Sequence, residues 1–133
     1  MIKTIEWTED GVRMIDQRKL PTVEEYPTFR TYEEVAEAIR VMVIRGAPAI
    51  GVAAGFGLSL ALQTLGSKTS LPEALNHLKI SRDYLASSRP TAVNLFYALD
   101  RVVHYAQNFI AENPSATVVQ LRKAILDEAQ MIC

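Results

Sequence analysis

Between Arg45 and Lys68 the chain carries no charged residue, and the run APAIGVAAGFGLSLAL, residues 47–62, is almost wholly apolar. Such a stretch must be buried, and three settings would bury it: a bilayer, a protein core, or a site built around Arg45. Gly51 and Gly55 have the small-xxx-small spacing of packed membrane helices. The strongly apolar part, however, falls short of the roughly 20 residues that a span requires. Gln63, Thr64 and Ser67 dilute its end, and no aromatic belt or lysine cluster marks an interface. A helix apolar on every side, flanked by amphipathic helices, is instead a central core helix. Its glycines and alanines make it thin. Each glycine costs up to about 1 kcal/mol of helix propensity, a cost offset where neighbouring backbone comes close.

The flanking segments supply the partners. Thr31 and Glu34 form a capping box ahead of Val35, Ala36, Ile39, Met42 and Val43, which predict one helix face. Pro48 suits the first turn of the central helix. Gly66 to Thr69 breaks that helix, and Ser70 with Glu73 is a second capping box, opening a helix to about Leu85. Pro90 predicts the start of a fourth helix, with apolar residues from Ala92 to Ile110 at three-four spacing. Asn113-Pro114 ends it and opens a fifth, carrying Val118, Leu121, Ile125 and Ile132.

Before Thr31 the period is two. Ile5 and Trp7 alternate with polar residues, Asp10-Gly11 is a turn pair, and Val12 to Ile15 supplies the return strand. A third extended piece lies near Leu20 to Phe29, punctuated by Pro21 and Pro27. The fold class expected is therefore α+β, mainly α: a small N-terminal antiparallel β-hairpin or sheet in residues 1–30, then a bundle of about five helices in residues 31–133, both parts of a single domain. The last helical pattern runs to Cys133 without glycine, proline or a basic turn, so the chain reads as cut rather than finished.

Composition removes several functions. A formal net charge of −1 with no basic stripe argues against nucleic acid. The single cysteine excludes an internal disulfide, and the N-terminus lacks an apolar signal core, which together suggest a reducing, cytoplasmic setting. His77 and His104 have no companions at metal-ligand spacing, so no metal site is expected. Asp83-Arg82 and Asp100-Arg101 read as surface charges. Ser87 and Ser88 lack a histidine–carboxylate pair, and no catalytic set is complete in this chain.

Two short stretches remain. Arg45-Gly46-Ala47-Pro48 puts a guanidinium beside the free amides and positive dipole of a starting helix, a combination that binds anions and phosphate above all. SSRPTAVNLF repeats the logic, with Arg89 before Pro90 and with Ser87, Ser88 and Thr91 as hydroxyl partners or caps. Two such arginines could converge on one phosphorylated ligand, although neither stretch is a GxxxxGK or GxGxxG loop.

Together RGAPAIGVAAGFGLSLAL and SSRPTAVNLFYALDR, with MIDQRKLP and EEVAEAIRVMVIRGAPAIG before them, resemble the N-terminal region of the methylthioribose-1-phosphate isomerase family. The resemblance covers residues 3–132. The wider family includes the regulatory alpha, beta and delta subunits of initiation factor 2B and ribose-1,5-bisphosphate isomerase. The resemblance implies an aldose–ketose isomerisation of a sugar 1-phosphate in methionine salvage, with no metal or organic cofactor, by a homodimer. It implies substrate or phosphate contacts for Arg45, Gly46, Ala47 and Arg89. Family members are more than twice as long, and their catalytic cysteine and aspartate lie in a Rossmann-like C-terminal domain whose motifs are absent here. Cys133 is not that cysteine. The expectation is an N-terminal domain or fragment, inactive alone, or else a non-catalytic regulatory domain of the initiation factor 2B type.

Overall fold

A computed structural model describes residues 5–16, 18, 25–43 and 47–132. The alternating N-terminal segment forms strands β1 (Ile5–Thr8) and β2 (Gly11–Met14), and β3 (Thr28–Phe29) pairs with β2 in an antiparallel sheet of order β1-β2-β3. Thr8 pairs with Gly11, so the hairpin loop is Glu9-Asp10 rather than the Asp10-Gly11 pair the sequence suggests. Thr8 Oγ1 donates to Gly11 O at 2.8 Å and accepts from Asp10 N at 3.2 Å. Gly11 is required for another reason. Its φ is +139°, and a Cβ there would lie 2.3 Å from the Phe29 carbonyl oxygen on β3. Beyond the assigned strand, Met14 N donates to Pro27 O and Asp16 N to Glu25 O, extending the pairing. Val12 and Met14 face the core, while Arg13 on the other face pairs across the sheet with Glu6 at 3.4 Å.

Five helices follow among the described residues: α1 (Tyr32–Arg40), α2 (Ala47–Gln63), α3 (Leu71–Ala86), α4 (Val93–Glu112) and α5 (Val118–Gln130). Helix α2 is the hub. It touches the other four helices and both β1 and β2, and Ala53, Ala54, Leu58, Ala61 and Leu62 are fully buried. Trp7 of β1 lies against Phe56 of α2 with ring centroids 5.8 Å apart, which seats the sheet on the same core. No helix among the described residues is long and apolar enough to cross a membrane.

The thinness of α2 has a direct consequence at Gly55. A Cβ there would come within 3.0 Å of the Ala129 Cβ and 3.3 Å of the Ala129 Cα on α5. Gly51 lies against Ile132 and Ala98 in the same way. Because Gly51 meets Ile132 and Gly55 meets Ala129, α5 runs antiparallel to α2.

Helix ends depart from the sequence expectations at four places. Helix α1 stops at Arg40, so Met42 and Val43 are not on its face. Met42 has a φ of +68°, and its N–H bonds Ile39 O while that of Val43 bonds Ala38 O. This is a Schellman ending with methionine where glycine is usual. Helix α4 begins at Val93, not Pro90, because residues 89–92 form a separate turn closed by Ala92 N to Arg89 O at 3.0 Å. Helix α5 begins at Val118, not at Asn113-Pro114. Asn113 belongs to the end of α4, donating from Nδ2 to Phe109 O, while Thr117 and Gln120 form the capping box that opens α5. Finally, the Thr31–Glu34 box is complete, but Glu73 accepts from the Ser70 hydroxyl, so that box is only half formed on backbone amides.

Of the surface charges, Arg82, Asp100 and Arg101 also link helices. Arg82 of α3 reaches Asp100 of α4 at 2.8 Å, and Arg101 of α4 reaches Glu128 of α5 at 2.8 Å. Neighbouring Asp100 and Arg101 thus belong to different inter-helix pairs. Glu128 is only 13% exposed, so its pair is shielded more than an ordinary surface bridge.

Candidate functional site

The packing contacts determine where the two arginine stretches lie relative to each other. Ile132 and Ala98 both approach Gly51, and Arg101 pairs with Glu128, so α4 is antiparallel to α5. Since α5 is also antiparallel to α2, α2 and α4 run parallel and side by side. Ala98 is level with Gly51. At about 1.5 Å of rise per residue, Ala47 lies about 6 Å, and Val93 about 7.5 Å, from that level in the same direction. The positive ends of α2 and α4 therefore open at one end of the bundle.

These two ends are chemically alike. Neither helix has an acidic residue in its first turn, and the residue ahead of α4, Ala92, offers no side-chain cap. By contrast, the N-termini of α1, α3 and α5 are capped by the hydroxyls of Thr31, Ser70 and Thr117. The first amides of a helix need partners, and adjacent parallel dipoles add their positive potential. An anion would satisfy both.

Of the predicted site residues, Arg89 is the one whose side chain is described. It sits in the turn between α3 and α4, half-buried, and its Nη1 is shut off from solvent with no hydrogen-bond partner. A buried guanidinium nitrogen without an acceptor is costly, and a ligand oxygen would relieve that cost. Arginine stays protonated, so it can hold an anion but cannot shuttle a proton. Ala47 is the first residue of α2, one before Pro48, as the sequence suggests. Arg45 and Gly46 lie outside the described residues, as does the side chain of Ala47.

The serines of the same turn are not helix N-caps. Ser87 Oγ donates to Tyr84 O and Ser88 Oγ to Leu85 O, both at 2.6 Å, so both hydroxyls are engaged with the end of α3. Thr91 is exposed. No local sequence signal separated these roles, because a serine after one helix and before another serves equally well as either cap.

Elsewhere the polar chemistry is sparse. A cleft of about 460 Å³ between the sheet and the end of α1 is lined by Asp16, Arg18, Glu25, Glu37 and Val43, among others. Buried Asp16 takes three bonds from Arg18, one from its backbone N–H and two from its guanidinium, and that hydrogen-bonded carboxylate raises the arginine further above its ordinary value. Glu37 is held below the usual carboxylate range chiefly by its hydrogen bond to Arg40. His77 Nε2 is buried without a partner, its ring edge-on to Tyr32 at 6.0 Å, and His104 is exposed. Among the described residues no group of three or more His, Cys, Asp or Glu could hold a metal ion.

The chain is a mainly helical α+β domain in which the amino ends of two parallel helices open on one side and one arginine nitrogen is buried without a partner. Residues 43–133 match the initiation factor 2 subunit family, and the chain belongs to that family. Its relatives include proteins named methylthioribose-1-phosphate isomerase. That of Geobacillus kaustophilus is 47% identical over 88% of this chain and 33% of its own length. That of Syntrophotalea carbinolica is 48% identical over 98% of this chain and 37% of its own. Among solved structures, 5-methylthioribose 1-phosphate isomerase from Pyrococcus horikoshii aligns with a TM-score of 0.86 at 41% identity. Subunit delta of translation initiation factor eIF-2B from A. fulgidus aligns with a TM-score of 0.87 at 36% identity. Each alignment covers 99% of this chain and 36% of the other. The chain thus spans about a third of the length of the relatives it matches.

Proposed function

We propose that this chain is the substrate-binding N-terminal part of an aldose–ketose isomerase that converts 5-methylthioribose 1-phosphate to 5-methylthioribulose 1-phosphate in methionine salvage. The observation that carries this reading is the identity of 47–48% with proteins named for that substrate. The buried, unpartnered Arg89 nitrogen, in the turn that leads into α4, supports it independently. In this reading Arg45, Gly46, Ala47 and Arg89 hold the phosphate, and no residue of this chain moves the proton. General acid–base catalysis needs a titratable group within hydrogen-bond reach of the substrate carbon-bound and hydroxyl protons, and an arginine clamp is not one. The groups that do this work belong to the C-terminal portion of a longer, homodimeric, cytoplasmic protein. The 133-residue chain alone is inactive.

The test is a turnover assay with 5-methylthioribose 1-phosphate. The purified chain gives no product, whereas a protein of the relatives' length that begins with this sequence does. In that longer protein Arg89→Gln raises KM at least about tenfold, as expected for loss of a charge-assisted contact. Turnover by the 133-residue chain itself sinks the claim of inactivity. The likeness to eIF-2B subunit delta from A. fulgidus favours a second reading, a regulatory domain acting through protein contacts. That reading gains if the longer protein binds no sugar phosphate and turns none over.

A further inference from the structure

The turn that carries Arg89 is held from behind. The last carbonyls of α3 have no glycine ending and no basic residue in the final turn to satisfy them. They are met instead by Ser87 and Ser88: Ser87 N donates to Asp83 O and Tyr84 O, Ser88 N to Leu85 O, and the two hydroxyls to Tyr84 O and Leu85 O. The two serines differ in setting. Ser87 is exposed, so water can replace its bond, whereas Ser88 is only 8% exposed. Its acceptor, Leu85, is fully buried, and the Leu85 side chain lies where a Cβ on Gly57 of α2 would be 3.1 Å away. Ser88 is thus tied to a carbonyl that the core immobilises.

Arg89 comes next in the chain. Its guanidinium makes no ion pair among the described residues, and its Nη1 is buried without a partner. Among the described residues no ion pair fixes the guanidinium, so its placement leans on the backbone of the turn. We propose that Ser88 is a positioning residue for Arg89, its buried hydroxyl holding the turn so that Nη1 of the guanidinium stays unpartnered and ready for an anion ahead of α4. This rests on the anion-site reading above. Ser87 makes the same bond at the surface and is dispensable.

The experiment titrates the purified chain with inorganic phosphate, following the Arg89 Nε–Hε resonance, with matched additions of chloride as the ionic-strength control. Ser88→Ala weakens phosphate binding about fivefold, the effect of one hydrogen bond, and shifts the Arg89 resonance before any phosphate is added. Ser87→Ala does neither. If Ser88→Ala does not fold, Ser88→Cys replaces it, keeping the shape with a much weaker donor, and the same loss is expected. Wild-type affinity in the Ser88 variant, with binding abolished in Arg89→Gln, overturns the role of Ser88 and leaves the anion site standing. Unchanged phosphate binding in Arg89→Gln removes the anion site, and the role of Ser88 with it.

Discussion

Gly55 sets the distance between α2 and α5, and a double-mutant cycle with Ala129 measures this. A Cβ at residue 55 would press on the Ala129 Cβ at 3.0 Å, the Ile132 Cδ1 at 3.1 Å and the Ala129 Cα at 3.3 Å. The isoleucine tip can rotate away, but the alanine backbone cannot. Gly55→Ala gains up to about 1 kcal/mol of helix propensity and loses about 1–3 kcal/mol to overpacking. The net is a loss of about 1 kcal/mol. Ala129→Gly loses about 1 kcal/mol of propensity and about 0.8 kcal/mol of buried methyl, close to 2 kcal/mol together. In the double variant the propensity terms cancel and the methyl moves from one helix to the other. Its loss should stay near 1 kcal/mol instead of the roughly 3 kcal/mol that addition gives, a coupling of about 2 kcal/mol. Urea unfolding followed by far-ultraviolet circular dichroism, with unchanged m-values, gives all four corners. Additivity within about 0.5 kcal/mol refutes the close approach, as does a Gly55→Ala variant that keeps the whole propensity gain.

Gly11→Ala should lose about 2–4 kcal/mol, combining backbone strain at positive φ with a Cβ driven into the Phe29 carbonyl. The emission of Trp7, the chain's one tryptophan, reports whether the sheet has lifted from Phe56; a loss under about 0.5 kcal/mol contradicts the geometry. Met42→Gly should raise stability by about 0.5 kcal/mol, since removing the left-handed penalty outweighs the larger entropy of glycine in the unfolded chain. Thermal melts check this as a rise of about 2 °C, and a lower melting point would mean that the methionine side chain packs more tightly than its 40% exposure indicates.

Local patterns made much of the fold legible. The complete Thr31–Glu34 box and the position of Pro48 announced α1 and α2, because capping and proline act within one turn of chain. The same kind of signal misled at Pro90 and Pro114. A proline restricts its own φ and the residue before it, which suits a turn as well as a helix start. At the fifth helix the Thr117–Gln120 box outcompeted the proline three residues earlier. Asp10-Gly11 has the look of a turn pair, yet the need for glycine at residue 11 comes from β3, a partner distant in sequence.

For the candidate site, the sequence by itself determined the chemical ingredients. An uncharged run flanked by Arg45 had to be buried, and a helix apolar on every side had to lie at the centre. Arg89 was conspicuous as a cation beside a chain turn. What only the tertiary structure decided is the relation between these pieces. Whether α2 and α4 open at the same end depends on helix direction, which follows from the contacts of Gly51 with Ala98 and of both α2 and α4 with α5. No spacing along the chain encodes it. The same holds for the pairing of Arg82 with Asp100: a side chain's partner on another helix is chosen by how the helices pack, after local propensity has had its say.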